Sequence, residues 1–456
     1  MDDKSIDSLA NGGIRRLIFR YSAPTIISTV ANATYNVVDR IFVGRACGED
    51  ALAAITVCFP PALFLLAIAM TVGQGSATLV SIKLGERDKR GAERILGQAI
   101  FLFFAFYILT AGSVLTFMDD FLRFFGATEK ILPAARDYYT IIIAGLIFEK
   151  VSFGMNNLIR AEGRPLFSMG TIVIGCFVNI VLDYVFLFRL GWGVRGAAIA
   201  TVAAQACATL WVCAFYFSGK SYLKVRLQNI RANLKLTASM IYAGSPSFII
   251  QALSSVSMML FVRQARLYGS ESAIAVIGIS LTVTTFMFLP VVGLAMGAQP
   301  IMGFNWGAKN YARVKSAYLN SLAIGTAMCG AGFIVAQIFP DLIFALFLGF
   351  DSALAPMGER ALRILTLAFP FIGLNIVTSG YFQSVKRPKI SIFITVLRQA
   401  VCLVPFLFIL PRFLGLDGIW GSFPAADLVS CAFTAIVAVR EVRRLNAAHA
   451  LSLRVS

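Results

Sequence analysis

Residues 51–82 read ALAAITVCFPPALFLLAIAMTVGQGSATLVSI, a run of thirty-two positions without one charged side chain. A bilayer hydrocarbon core about 30 Å thick is crossed by about 20 mostly apolar helical residues, and a tilted helix runs longer. The run therefore predicts a membrane-spanning helix. It also returns further along the chain. A constant offset of 222 in the numbering carries Ala51–Ile55 onto Ala273–Ile277, and Pro24, Phe64, Gly75, Gly85 and Gly196 onto Pro246, Phe286, Gly297, Gly307 and Gly418. An offset of 223 carries Pro165 onto Pro388. One offset holding over so much of the chain is the mark of an internal duplication.

Working outward, apolar stretches of spanning length lie at about 14–42, 51–82, 92–118, 131–159, 165–189 and 195–217. A second set lies at about 236–265, 272–303, 312–339, 354–384, 390–411 and 418–439. The fold class expected is an all-α integral membrane protein of twelve transmembrane helices in two pseudo-symmetric six-helix bundles. An N-terminal lobe (1–217) and a C-terminal lobe (236–456) are joined by a polar connector (218–235). Turn signals such as Gly163–Pro165, Gly191–Gly193 and Arg387–Pro388 punctuate the helices. The apolar runs are continuous and lack the two-residue alternation of a β-barrel. Six helices per half is an even number, so the halves run in the same direction. An axis along the membrane normal relates them, as in many secondary transporters, and a cleft between two lobes is what alternating access requires.

Composition agrees. The chain is 58% hydrophobic and 14% charged, against roughly 45–50% and 25% in soluble domains. Its polar first ten residues and long first apolar run do not read as a cleavable signal peptide. The net charge of +17 raises the question of nucleic acid, but the charge is spread over short loops. With the N-terminus placed inside, 26 of the 40 Lys and Arg residues fall in inner segments. That distribution predicts cytoplasmic termini, basic loops against anionic lipid, and no nucleic-acid partner. Cys58, Cys176, Cys207, Cys213, Cys402 and Cys431 lie in apolar runs as small hydrophobes, and the single histidine is His449. No zinc or haem spacing occurs, so no cofactor is expected.

Ionisable groups within a bilayer are costly and tend to face a cavity or a partner. On the first span, Asn32, Asn36 and Asp39 share a face at i, i+4 and i+7, with Tyr35 beside Asp39. On the fifth span, Asn179 and Asp183 stand at i, i+4. Tyr139 and Thr201 lie at a similar depth on the fourth and sixth. The duplication has not copied these groups: Asp39 corresponds to Phe261, Asp183 to Pro405 or Phe406, and Asn179 to Val401 or Cys402. Two carboxylates close together in a low dielectric make a proton carrier, and with amide and hydroxyl oxygens they make a Na⁺ site. Glu149 and Lys150 are neighbours about 100° apart on the fourth span; Glu149 offers either a structural pair or a second acidic site for a cationic ligand. Met155, Met258 and Met259 are candidates to line a tolerant cavity. Arg398 and Asp427 lie at matching depth in the second half and read as a structural ion pair.

Three segments together resemble one family. Tyr35-Asn-Val-Val-Asp39-Arg-Ile-Phe-Val-Gly44, Asn157-Leu-Ile-Arg-Ala-Glu-Gly163 and Asn179-Ile-Val-Leu-Asp183 are similar to the multidrug and toxic compound extrusion (MATE) family, in its bacterial multidrug-efflux branch, over the whole chain. The resemblance implies an antiporter rather than an enzyme, exporting cationic or amphiphilic drugs in exchange for H⁺ or Na⁺, and a monomer in the lipid. It places cation coupling at Asp39, Asn179, Asp183 and Thr201, with Tyr35 and Tyr139 nearby. It places substrate contacts at Asn32, Asn36 and Asn156, beside Glu149 and Met155. The chain departs from members that carry acids in the seventh and tenth helices, where it has Gln251 and Asn375; a Na⁺ site of that kind is not expected in the second lobe. The competing class is a lipid-linked precursor flippase, which needs a more cationic cavity for phosphates. Neither HExxH nor DDxxD, as a membrane-embedded enzyme would need, occurs.

Overall fold

The computed structural model describes residues 3–125, 127–269, 271–348 and 354–455. Among these the structure is helical, without strands. Ten of the helices are long and apolar enough to cross a membrane. In chain order they are α2 (Ala53–Gly85), α3 (Lys89–Thr116), α4 (Leu132–Ala161), α5 (Pro165–Arg189), α6 (Gly193–Phe217), α7 (Leu234–Ala265), α8 (Val276–Gly307), α9 (Tyr311–Ile338), α11 (Pro388–Leu414) and α12 (Leu416–Leu451). Helix α10 is a bent pair, Ala355–Thr366 with Phe369–Ser384, turned by 46°. Pro370 near the start of the second piece explains the bend, because it supplies no N–H to the preceding turn. Helix α1 (14–47) precedes them all. It is as long as the others, but Asn32, Asn36 and Asp39 lower its hydropathy. At Gly48 (φ 81°, ψ −174°) the chain takes a conformation open almost only to glycine and turns into α2.

The duplication reaches the loops. Asp88 and Asn310, related by the same offset of 222, cap α3 and α9 by accepting from the backbone N–H of Gly91 (2.8 Å) and Arg313 (3.3 Å). The residue before each cap, Arg87 or Lys309, is left-handed, at φ 59° and 57°. Ahead of Pro165 and Pro388, Gly163 (φ 89°) and Lys386 (φ 57°) repeat that conformation at an offset of 223.

The chain forms two compact units. The first comprises Met1–Gly12 with Ile27–Phe248, the second Gly13–Ile26 with Ile249–Ser456. Each thus includes a short piece of helix, 13–26 or 234–248, from the other side of a simple division of the sequence. Two of the repeated glycines explain the packing. In the first unit, a Cβ on Gly75 of α2 would lie 2.0 Å from the carbonyl oxygen of Met240 in α7. In the second, a Cβ on Gly297 of α8 would lie 2.6 Å from Cα of Ser22 in α1. Backbone meets backbone at both crossings, and only glycine fits.

The first unit has an apolar core around Cys58, Leu122, Tyr139, Ile143 and Leu146. That of the second surrounds Phe261, Phe344, Leu407 and Trp420. Two buried acids of the first unit hold the connector. Glu162, one residue past α4, accepts from the Ser221 hydroxyl (2.6 Å) and the backbone N–H groups of Tyr222 (3.0 Å) and Leu223 (3.3 Å). Glu93 of α3 pairs with Arg226 at 2.7 Å and accepts from Lys224 N–H at 3.3 Å.

Candidate functional site

Within the first unit a cavity of about 210 Å³ opens among α1, α2, α4, α5 and α6. The polar face of α1 contributes Asn32, Tyr35 and Asn36; Glu149 enters from α4, Asn179 from α5 and Thr201 from α6. Asn32 and Asn36 are exposed, and the Asn36 amide donates to the Asn32 carbonyl at 2.6 Å. Asn179 is buried; its amide reaches the Thr201 hydroxyl at 3.5 Å, and its Oδ1 has no donor. Deeper in, the Asp39 and Asp183 carboxyls lie within hydrogen-bonding reach of one another. Asp183 is fully buried, and neither of its oxygens receives a hydrogen bond from the protein. It closes the straight part of α5, which continues as a π-helical turn over Tyr184–Arg189. Such turns recur at functional positions because they re-aim side chains without breaking a helix. Asp39's neighbour Arg40 places its guanidinium over the Phe59 ring at 4.6 Å.

The other sequence candidates fall around this centre. Tyr139 is buried, stacked on Phe121 with ring centroids 6.1 Å apart, and its hydroxyl has no partner. Asn156 and Met155 are buried in α4 and do not line the cavity. Glu149 lines it with a side chain one-quarter exposed, 3.5 Å from the Lys150 ammonium. Lys150 itself is buried, and its nitrogen makes no hydrogen bond. Three polar lining residues escaped the sequence reading: Ser152, Thr171 and Gln205. A signal for two of them was available. Gln205 is one turn beyond Thr201, and Thr171 begins the face that continues through Gly175 and Asn179 to Asp183 at steps of four.

In chemical terms, the cavity offers amide and hydroxyl oxygens between a partly exposed acid, Glu149, and Asn179, one turn of α5 before the donor-poor buried carboxyl of Asp183. A shared proton or a small hard cation is the species that such oxygens lack. Among the described residues no group of three or more His, Cys, Asp or Glu side chains is placed to hold a metal ion.

The family model MatE matches the chain twice, over residues 24–185 and 246–409. The chain belongs to this family. The two matches begin at Pro24 and Pro246, a pair already related by the internal repeat. A MATE fold of twelve helices follows for this multi-pass membrane protein. The multidrug export protein MepA of Staphylococcus aureus is 23% identical over 97% of each chain. MepA of Staphylococcus haemolyticus is 24% identical over the same shares. A solved structure described as the outward-facing conformation of a multidrug resistance MATE family transporter of the MOP superfamily superposes with a TM-score of 0.91. It is 26% identical over 96% of this chain and 98% of its own.

Proposed function

We propose that the protein is a secondary active multidrug efflux antiporter, exporting cationic or amphiphilic compounds in exchange for H⁺ or Na⁺ and using the first-unit cavity as its coupling site. In this reading Asp39 and Asp183 bind the coupling cation, with Asn179 and Thr201 as neutral oxygen ligands and Tyr35 and Tyr139 around them. Asn32, Asn36 and Glu149 meet the cargo. The observation that carries it is the buried Asp183 carboxyl, without a donor and facing Asp39, one turn of α5 beyond Asn179 of the cavity wall. A cation bound between the two acids changes the relative free energy of the states of the unit, which is the condition for coupling. Drug and coupling cation then weaken one another's binding by the same factor. The names of the relatives support a drug cargo. The acids and amides of the cavity are poorly suited to a lipid phosphate, which argues against a flippase.

The protein works in this proposal as a monomer in the bacterial cytoplasmic membrane, both termini cytoplasmic. Its test is transport in proteoliposomes under separately imposed pH and Na⁺ gradients, with a fluorescent cationic dye as cargo. Accumulation driven by one gradient and dissipated by the matching ionophore is the expected result. Dye movement indifferent to both gradients would overturn the reading.

A further inference from the structure

The second unit holds a cavity of its own, of about 140 Å³, among α8, α10, α11 and α12. Its position follows from the duplication. The offset of 222 carries Leu66, Thr201 and Gln205 of the first cavity onto Phe288, Phe423 and Asp427 of the second, and an offset of 223 carries Gly175 onto Arg398. The two cavities are thus counterparts built by one ancestral arrangement, with different chemistry in their walls. In the first unit the α5 and α6 positions carry a glycine and a neutral amide. In the second, the α11 and α12 positions carry an ion pair.

That pair is asymmetric. The Arg398 Nε donates to Asp427 Oδ1. The Asp427 side chain is 4% exposed and that of Arg398 is 23% exposed, so the guanidinium faces the cavity. Its two terminal nitrogens meet no further hydrogen-bond acceptor among the described residues. Arg398 stands on a π-helical segment, Leu397–Leu403, that has no counterpart at the same offset in α5. The remaining polar lining is Thr284 and Thr285, whose hydroxyls already donate to carbonyls of their own helix at 2.7–3.1 Å. The unspent donors in the cavity are therefore those of Arg398, and Phe288, Phe369 and Phe423 supply aromatic walls.

Net charge selects the ligand. Arg398 and Asp427 together are neutral. A cationic ligand would have to displace the guanidinium, and an anionic one would leave an uncompensated charge inside the membrane, which is expensive. A neutral carbonyl oxygen does neither, and it completes the hydrogen bonding of the guanidinium. We propose that this second cavity is a separate binding site for uncharged aromatic compounds bearing a carbonyl-type acceptor, recognised by the terminal nitrogens of Arg398 while Asp427 stays in place as internal counter-ion.

The test is calorimetric titration of the purified full-length protein in detergent with 2-naphthamide and 2-naphthoate, subtracting protein-free micelles. The wild type should bind the amide at least tenfold more tightly than the acid. Asp427→Asn removes the internal counter-ion, so the order should invert in favour of naphthoate. The double variant R398Q/D427N keeps a neutral hydrogen-bonding pair and the wild-type melting temperature, and should bind both probes at least tenfold more weakly than the better site. Three results would each overturn the proposal: no amide binding to wild type, an unchanged probe order in Asp427→Asn, or undiminished amide binding in the double variant.

Discussion

Asp39 on α1 and Asp183 on α5 bring their carboxyls within hydrogen-bonding reach, yet Asp183, fully buried, receives no donor from the protein on either oxygen. Two acids cannot satisfy each other while both are ionised. Something positive must enter between them, and a transporter can use that need.

Replacing Asp39 with Asn inserts a permanent donor. The new amide would bond Asp183 without a proton or a metal cation, and the coupling proposed here would be short-circuited. Gradient-driven dye export in Asp39→Asn proteoliposomes should fall more than tenfold. The melting temperature should hold or rise, because a like-charge contact becomes a hydrogen bond. Export at the wild-type rate would place coupling elsewhere.

Glu149 and Lys150 separate a structural role from a binding one. Lys150 is buried with no hydrogen bond, 3.5 Å from the Glu149 carboxylate. Glu149→Gln leaves that ammonium uncompensated. The loss should be roughly 2–3 kcal/mol, short of a fully buried pair because Glu149 keeps part of its side chain exposed. Adding Lys150→Met should restore the melting temperature. If Glu149 also meets cationic cargo, dye affinity stays weakened in the stable double variant, whereas a purely structural pair predicts that affinity returns.

The fold could be read from the sequence because its determinants are local or periodic. Charge-free runs give spans, and the constant offset gives two halves. The acid pair was legible for a related reason: Asn32, Asn36, Asp39, Asn179 and Asp183 are polar where lipid-solvated helices are otherwise apolar. What escaped depends on contacts between elements distant in sequence. Glu162 lies in the Asn157–Gly163 segment, yet nothing local shows that it anchors the connector at Ser221 and Tyr222, far along the chain. Gly75 and Gly297 stood out as repeated positions, but the helices they meet are fixed only by tertiary packing. Arg398 and Asp427 read as a pair from their depth, while the cavity in front of them needed coordinates to be seen.

Gly75 offers a test of that packing. A Cβ there would lie 2.0 Å from the backbone carbonyl of Met240, and a backbone atom cannot swing aside as a side chain can. Gly75→Ala should therefore destabilise the protein by roughly 2–3 kcal/mol, read as a lowered melting temperature in detergent. Gly112→Ala meets nothing within 4 Å, so the same substitution there should be neutral or slightly stabilising through helix propensity. Equal effects at the two sites would contradict the close crossing of α2 and α7.

The connector carries a pH dependence whose direction is fixed by Glu162. Burial pushes its carboxyl up from an ordinary 4.5 to about 7, against the opposing hydrogen bonds from Ser221, Leu223 and Tyr222. An acid whose pKa rises on folding holds its proton more tightly in the folded state, so folding takes up a proton between those two values. The contribution to stability is complete below pH 4.5, declines as the pH climbs toward 7, and is lost above it. A shift of this size corresponds to roughly 3 kcal/mol across the window. Hydrogen exchange at the Tyr222 and Leu223 amides, corrected for intrinsic exchange rates, should report the anchorage directly: protection high at pH 5 and lower at pH 8. Glu162→Gln keeps a side-chain acceptor for both N–H groups and has no proton to lose. Its protection should stay level from pH 5 to pH 8, and a slope equal to that of the wild type would assign the effect to another group.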